Sequence, residues 1–136
     1  MKPLRVLIVD DNDLNVQLAA FVLSDCGMEV ESAARASQAL QQIPAFRPDL
    51  ILMDIQMPDM DGLELTRRLK ADPLTRRIVV VAFTAFAMKG DEARMRAAGC
   101  DGYVAKPIDI ATFAGTIRAF LAADDADGAS GFGAMA

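Results

Sequence analysis

The stretch Leu50 to Gly62, LILMDIQMPDMDG, constrains this chain more than any other. A continuous apolar run, Leu50 to Met53, stops at Asp54. Pro58 and the turn Asp59-Met60-Asp61-Gly62 follow. Such a run before a turn reads as a strand buried on both faces, as in a parallel sheet. Open α/β sheets bind ligands outside the carboxyl ends of their strands, and Asp54 falls at such an end.

The flanking pattern repeats this unit. Arg5 to Val9 (RVLIV) predicts a first strand, closed by Asp10-Asp11-Asn12-Asp13. Asn12 or Asp13 can N-cap the helix that follows. In that helix Leu14, Leu18, Phe21 and Val22 fall at i, i+4, i+7 and i+8, which predicts a buried stripe. Gly27 can stop it. Met28 to Ser32 is a weaker strand. Ala33 to Ile43 is Ala- and Gln-rich and predicts a helix, with Pro44 and Pro48 bracketing the next turn. Asp49 to Met53 is the third strand. Asp61 and Glu64 stand as a capping box for a third helix that must stop before Pro73. Ile78 to Phe83 (IVVVAF) is the clearest strand and ends at Thr84. A fourth helix over Asp91 to Ala98 closes at Gly99. A short strand, Gly102 to Ala105, leads to Lys106-Pro107. Ile110, Phe113, Ile117 and Phe120 predict the buried face of a fifth helix. Residues 124–136, mostly Gly, Ala and Asp, are expected to be a disordered tail after one domain over 1–123.

Five strand–helix alternations imply an α/β fold, a doubly wound parallel sheet with helices on both faces. At 136 residues and 53% hydrophobic content the chain can bury a core. No apolar run is long enough to span a membrane, and the charged start is no signal peptide, so the expected compartment is the cytoplasm. Cys26 and Cys100 are then expected as reduced thiols. The absence of histidine removes His-based triads and His-ligated zinc, and leaves phosphohistidine chemistry to a partner. Setting aside Asp124, Asp125 and Asp127 moves the formal charge from −5 to −2, which gives no case for nucleic-acid binding.

Four strand ends carry unusual polar groups: Asp10 and Asp11, Asp54, Thr84, and Lys106. In a parallel sheet all lie along one edge. Singly, each has an ordinary role as cap, turn residue or solvated charge. Together they describe a site. Three carboxylates repel one another unless a cation joins them, and an oxygen-only donor set favours Mg2+. Metal and Lys106 for charge, Thr84 as donor and a carboxylate nucleophile are the equipment for phosphoryl transfer. Pro107 either starts a helix or fixes a peptide, open to the cis form, that aims the Lys106 ammonium inward. An EF-hand reading of Asp11 to Asn15 fails, because Val16 and Val22 stand where Gly and Glu are needed. The Asp59-Met60-Asp61 motif does not follow a strand directly, as an aspartate-nucleophile phosphohydrolase requires.

Val6 to Asn12 (VLIVDDN), Leu50 to Gly62, Val80 to Ala85 (VVAFTA) and Tyr103 to Ile108 (YVAKPI) appear in order. Over about Leu4 to Leu121 the chain resembles the receiver domain of two-component response regulators. Thr84 to Arg94 with Gly99-Cys100 is similar to single-domain cell-division regulators of this family, and to receivers of hybrid histidine kinases. The resemblance implies a flavodoxin-like, five-stranded sheet of order 2-1-3-4-5 with five helices. It implies that Asp54 accepts a phosphoryl group, and that Asp10, Asp11, Asp54 and the Gln56 backbone carbonyl serve Mg2+. Thr84 and Lys106 would hold the phosphoryl oxygens. Thr84 and Tyr103 would form a switch read out on helix 4, strand 5 and helix 5. Small Ala85 would leave the phosphoryl group open, while Phe86 would shield it. The implied partners are a sensor histidine kinase or histidine phosphotransfer protein and a downstream kinase or target, with the chain a monomer or weak dimer. Two alternatives stand beside a stand-alone regulator: a receiver cut from a hybrid kinase, and a Mg2+-dependent small-molecule phosphohydrolase.

Overall fold

The computed structural model describes residues 3–57, 60–85, 89–127 and 133–135. Strands and helices alternate: β1 (Arg5–Val9), α1 (Asp13–Asp25), β2 (Glu29–Ala33), α2 (Ala36–Phe46), β3 (Leu50–Asp54), α3 (Gly62–Ala71), β4 (Val79–Thr84), α4 (Lys89–Ala98), β5 (Gly102–Ala105) and α5 (Phe113–Asp127). The first five strands pair in parallel in the order 2-1-3-4-5, as anticipated. A sixth strand, β6 (Gly133–Met135), pairs in parallel with β5. The backbone after 123 therefore differs from a structureless tail. An Ala-rich run continues α5 to Asp127, and the outer edge of β5 offers unpaired backbone groups that three further residues meet.

Strand alternation sends side chains to two cores. Leu7, Val9, Ile51, Met53, Val80 and Ala82 pack under α2, α3 and α4. Val6, Ile8, Leu50, Leu52, Val81 and Phe83 pack under α1 and α5. Burial on both faces is why β1, β3 and β4 read as unbroken apolar runs rather than alternating ones.

Two predicted stripes are met only in part, since Val22 in one and Phe113, Ile117 and Phe120 in the other are buried. In α1, Ala19, Val22 and Leu23 are buried, while Leu14 is 74% and Phe21 69% exposed. The helix has almost equally apolar faces, so periodicity alone set Leu14 and Phe21 beside Val22, the one member of that stripe that is buried. Ile110 is 60% exposed because α5 begins only at Phe113, whose row continues through Ile117 and Phe120. Pro44 lies inside the last turn of α2 instead of ending it. Near a C-terminus a missing N–H costs one bond, and Arg47 at φ 53° closes the helix by donating to the Ile43 carbonyl at 2.8 Å.

The strands that carry the site are pinned at their far ends. Lys70 Nζ reaches the Ile78 carbonyl at 2.7 Å and Asp101 Oδ2 at 3.0 Å, and the same Asp101 oxygen accepts from Val80 N at 2.8 Å. This cross-link holds the starts of β4 and β5 together. Lys70→Ala strands a mostly covered carboxylate, so it is expected to destabilise the fold by about 3 kcal/mol in urea unfolding.

Candidate functional site

Register places the polar groups. Val9 aligns with Met53, Asp54 with Phe83, and Thr84 with Ala105. Asp10, Asp54, Thr84 and Lys106 therefore step along the carboxyl edge on adjacent strands. Lys106 N donates to the Thr84 carbonyl at 2.8 Å, which fixes the start of the loop after β5. The Lys106–Pro107 peptide is cis.

Local turns set the carboxylates. Asp10 Oδ1 accepts from Asn12 N at 2.9 Å, and Asn12 in turn caps α1 by accepting from Asn15 N at 3.0 Å. Asp54 Oδ1 accepts from Gln56 N at 3.1 Å. Asp10 and Asp54 are buried and Asp11 is exposed, yet one oxygen from each lies within 4.8 Å of the others. Lys106 Nζ stands 2.9 Å from Asp10 Oδ2 and 3.6 Å from Asp54 Oδ1, over the Phe83 ring at 4.8 Å. Lys106 and Asp10 meet as charges without hydrogen-bond alignment. Asp10 Oδ2 is thus a buried oxygen with no hydrogen-bond partner among the described residues. Three carboxylates against one ammonium suit a hard divalent cation.

The electrostatics agree. Burial is the main reason that the Asp54 pKa rises from 3.8 to about 6, and the Asp10 carboxylate adds to the rise. The Gln56 N–H and the Lys106 ammonium pull the other way and do not win. In the bare protein Asp54 is a carboxylate under stress, which a cation would relieve.

Thr84 is buried at the end of β4, and Ala85 beyond it is exposed. Phe86 lies outside the described residues, as do Pro58 and Asp59. Tyr103 sits on the α4 side of β5 and is nearly covered, its hydroxyl donating to Glu92 Oε1 at 2.8 Å. That bond to a carboxylate raises the Tyr103 pKa. Asp61 caps α3 by accepting from Leu63 N at 2.8 Å.

Gly62 does more than end a turn. It opens α3 directly against the backbone of Asp54. A Cβ there would overlap the Asp54 carbonyl oxygen and come within 2.9 Å of Ile55 Cα. Backbone cannot swing aside as a flexible side chain can. Gly62→Ala is therefore expected to cost about 1–3 kcal/mol in urea unfolding and to slow chemistry at Asp54. The sequence showed this glycine only as a turn residue, because close approach leaves no signal in spacing.

A flavodoxin-like sheet with an acidic trio, a hydroxyl and a lysine at its ligand edge defines a class of small α/β domains built to manage a phosphoryl group beside a cation. The chain belongs to the response regulator receiver domain family, whose model matches residues 6–118. It is 47% identical over 119 residues to the polar-differentiation response regulator DivK of Brucella anthropi, covering 88% of this chain and 97% of that protein. DivK of Brucella ovis is also 47% identical, over 116 residues, 85% of this chain and 94% of that one. Among solved structures, Vibrio cholerae chemotaxis protein CheY4 superposes with a TM-score of 0.83 at 28% identity, covering 88% of this chain and 99% of that one. A CheY-like receiver domain protein from Methanospirillum hungatei gives 0.80 at 31% identity, covering 88% and 94%. The chain is thus a receiver domain of two-component phosphorelay signalling, similar to the DivK regulators over most of its length.

Proposed function

We propose that Asp54 accepts a phosphoryl group from a phosphohistidine and that the chain acts by itself as a cytoplasmic phosphoacceptor switch. The observation that carries this is the placing of Asp54 between two further carboxylates and the Lys106 ammonium, 3.6 Å away. Asp10, Asp11, Asp54 and the Gln56 carbonyl would hold Mg2+, which supplies positive charge to the phosphoryl oxygens when bound. An Asp54 carboxylate oxygen attacks phosphorus as the P–N bond of the donor histidine breaks, and the imidazole leaves with the electron pair. Lys106 and Thr84 then contact the new phosphoryl oxygens. The donor supplies the histidine that this chain lacks.

The added charge, about −1.5 to −2, sits at the ends of β3, β4 and β5. Drawing Thr84 toward it would shift the β4–α4 connection, and Tyr103 reports that shift through its bond to Glu92 on α4. A downstream kinase or other target would read α4, β5 and α5. For the donor, exposed Leu14 and Phe21 on α1 and Ile110 after Lys106 offer apolar contacts on elements that leave the same sheet edge.

The second reading is a small-molecule phosphohydrolase, which needs room for its substrate beside Asp54. The pocket beside the site, between Gln56, Asp61, Thr84 and Arg94, holds only about 170 Å³, well under the roughly 300–1,000 Å³ of ordinary ligand sites. Incubation with acetyl phosphate and magnesium separates the two. A stable gain of one phosphoryl mass supports the switch. Continuous phosphate release from varied monoesters without a labelled protein overturns it.

A further inference from the structure

At the opposite end of the sheet from Asp54, an open groove of about 1390 Å³ lies between the C-terminal ends of α2 and α3 and the turn into β4. Arg47, Arg68, Arg76 and Arg77 line it, and all four are exposed. None of the four forms an ion pair with a described residue. Arg5 also lines the groove but is committed, to Glu29 at 3.2 Å and to the Phe46 carbonyl at 3.1 Å. The two carboxylates there, Asp49 and Asp72, each give an oxygen to a backbone N–H, of Arg5 and of Leu74. Leu74, 88% exposed, and Leu40 set aliphatic surface among the cations.

The chain carries a net charge of −5, so four uncommitted arginines on one groove reverse the sign of the molecule locally. Arg47 and Arg68 lie near helix C-termini, where a cation also offsets the helix dipole. Arg76 and Arg77 lie in the turn before β4, outside any helix, so that role does not account for them.

We propose that this groove docks an acidic, leucine-bearing segment of a partner protein, on a face separate from the phosphorylation edge. Its size exceeds what small ligands need, roughly 300–1,000 Å³. No aromatic side chain lines it among the described residues, so it lacks the stacking platform that single-stranded nucleic acid uses. A long polyanion would also meet the negative remainder of the molecule. A short acidic segment would meet only the local field, since charges are screened beyond about 8 Å at physiological salt. Arginine forks match carboxylates two bonds at a time, and the exposed leucines give such a segment something apolar to cover.

The test is fluorescence anisotropy of a short labelled peptide of alternating Glu and Leu, titrated with the full chain. The peptide should bind saturably and more weakly as salt rises. Arg76→Glu combined with Arg77→Glu, both outside any helix, should weaken binding about tenfold or more, because two attractive charges become repulsive. Leu74→Ser should weaken it less, and all variants should keep the parent melting temperature and acetyl phosphate labelling. Equal binding by the charge-reversed protein would overturn the proposal. So would equal binding of a Glu–Ser peptide, or competition by poly(U) RNA or polyphosphate at the same charge concentration, which would mark a general polyanion patch. Self-association of the chain that the double variant abolishes would give the groove to a second copy and overturn it as well.

Discussion

Asp54→Asn will take up no phosphoryl group from acetyl phosphate and magnesium, and without the cation it will melt at a higher temperature than the parent. The first half follows because an amide keeps the shape of the side chain but offers no carboxylate to attack phosphorus. The second half follows from burial. Asp54 protonates at about 6 in the fold against 3.8 for the free side chain. Between those values the fold binds more protons than the unfolded chain, so stability falls as pH rises through roughly 4 to 6. Above that window the ionised carboxylate destabilises the metal-free protein by up to about 3 kcal/mol. Asparagine removes this burden. The gain should therefore be present at neutral pH and fade as pH drops toward 4, the opposite of what a salt-bridged aspartate gives. Adding magnesium should shrink it by stabilising the parent, which has the full set of carboxylates, more than the variant. Melting curves at several pH values, with and without magnesium, measure all of this. A variant less stable than the parent at neutral pH would show that Asp54 is held by partners rather than strained.

Lys106→Met should slow phosphoryl uptake by about a hundredfold or more while making the site bind magnesium more tightly. The ammonium stands within 2.9 Å of Asp10 and 3.6 Å of Asp54, where it opposes a cluster of three carboxylates. Removing it leaves the same oxygens with more uncompensated negative charge, which attracts a divalent ion more strongly. The phosphoryl oxygens lose a preplaced positive donor, a loss of the size seen when such donors are removed from other sites. Methionine keeps most of the stem that packs over Phe83. Calorimetric magnesium titration and labelling rates should move in opposite directions. If both weaken together, Lys106 serves the shape of the site rather than its charge.

The site's composition was legible because its chemistry is costly. Apolar strands that end in Asp10, Asp54 and Thr84, with Lys106 after the last, ask more of the chain than caps and turns require, and parallel pairing brings these groups to one edge. Alternation of strands and helices gave the parallel sheet, while its order, 2-1-3-4-5, came from the resemblance to receiver domains. What could not be read depends on packing partners. Leu14 and Phe21 suit a buried stripe with Val22 as well as Ala19 and Leu23 do, and only the place of α1 against β2 and α5 decides between them. Ile110 extends the spacing of the α5 row but lies in the loop before that helix. The Lys70–Asp101 cross-link and the contact of Gly62 with Asp54 join residues far apart in the chain or pressed together by the fold, so spacing carries no trace of them. The sixth strand rests on Gly- and Ala-rich sequence that shows no strand pattern of its own.

The most direct measurement locates the phosphoryl group. The full chain is labelled with acetyl phosphate and magnesium, digested, and sequenced by mass spectrometry after the acyl phosphate is trapped by borohydride reduction. We predict one modified residue, Asp54, lost on chelating the metal and absent from Asp54→Asn. A phosphoryl group on Asp10 or Asp11, or equal labelling without a divalent cation, would contradict the assignment of Asp54 as phosphoacceptor.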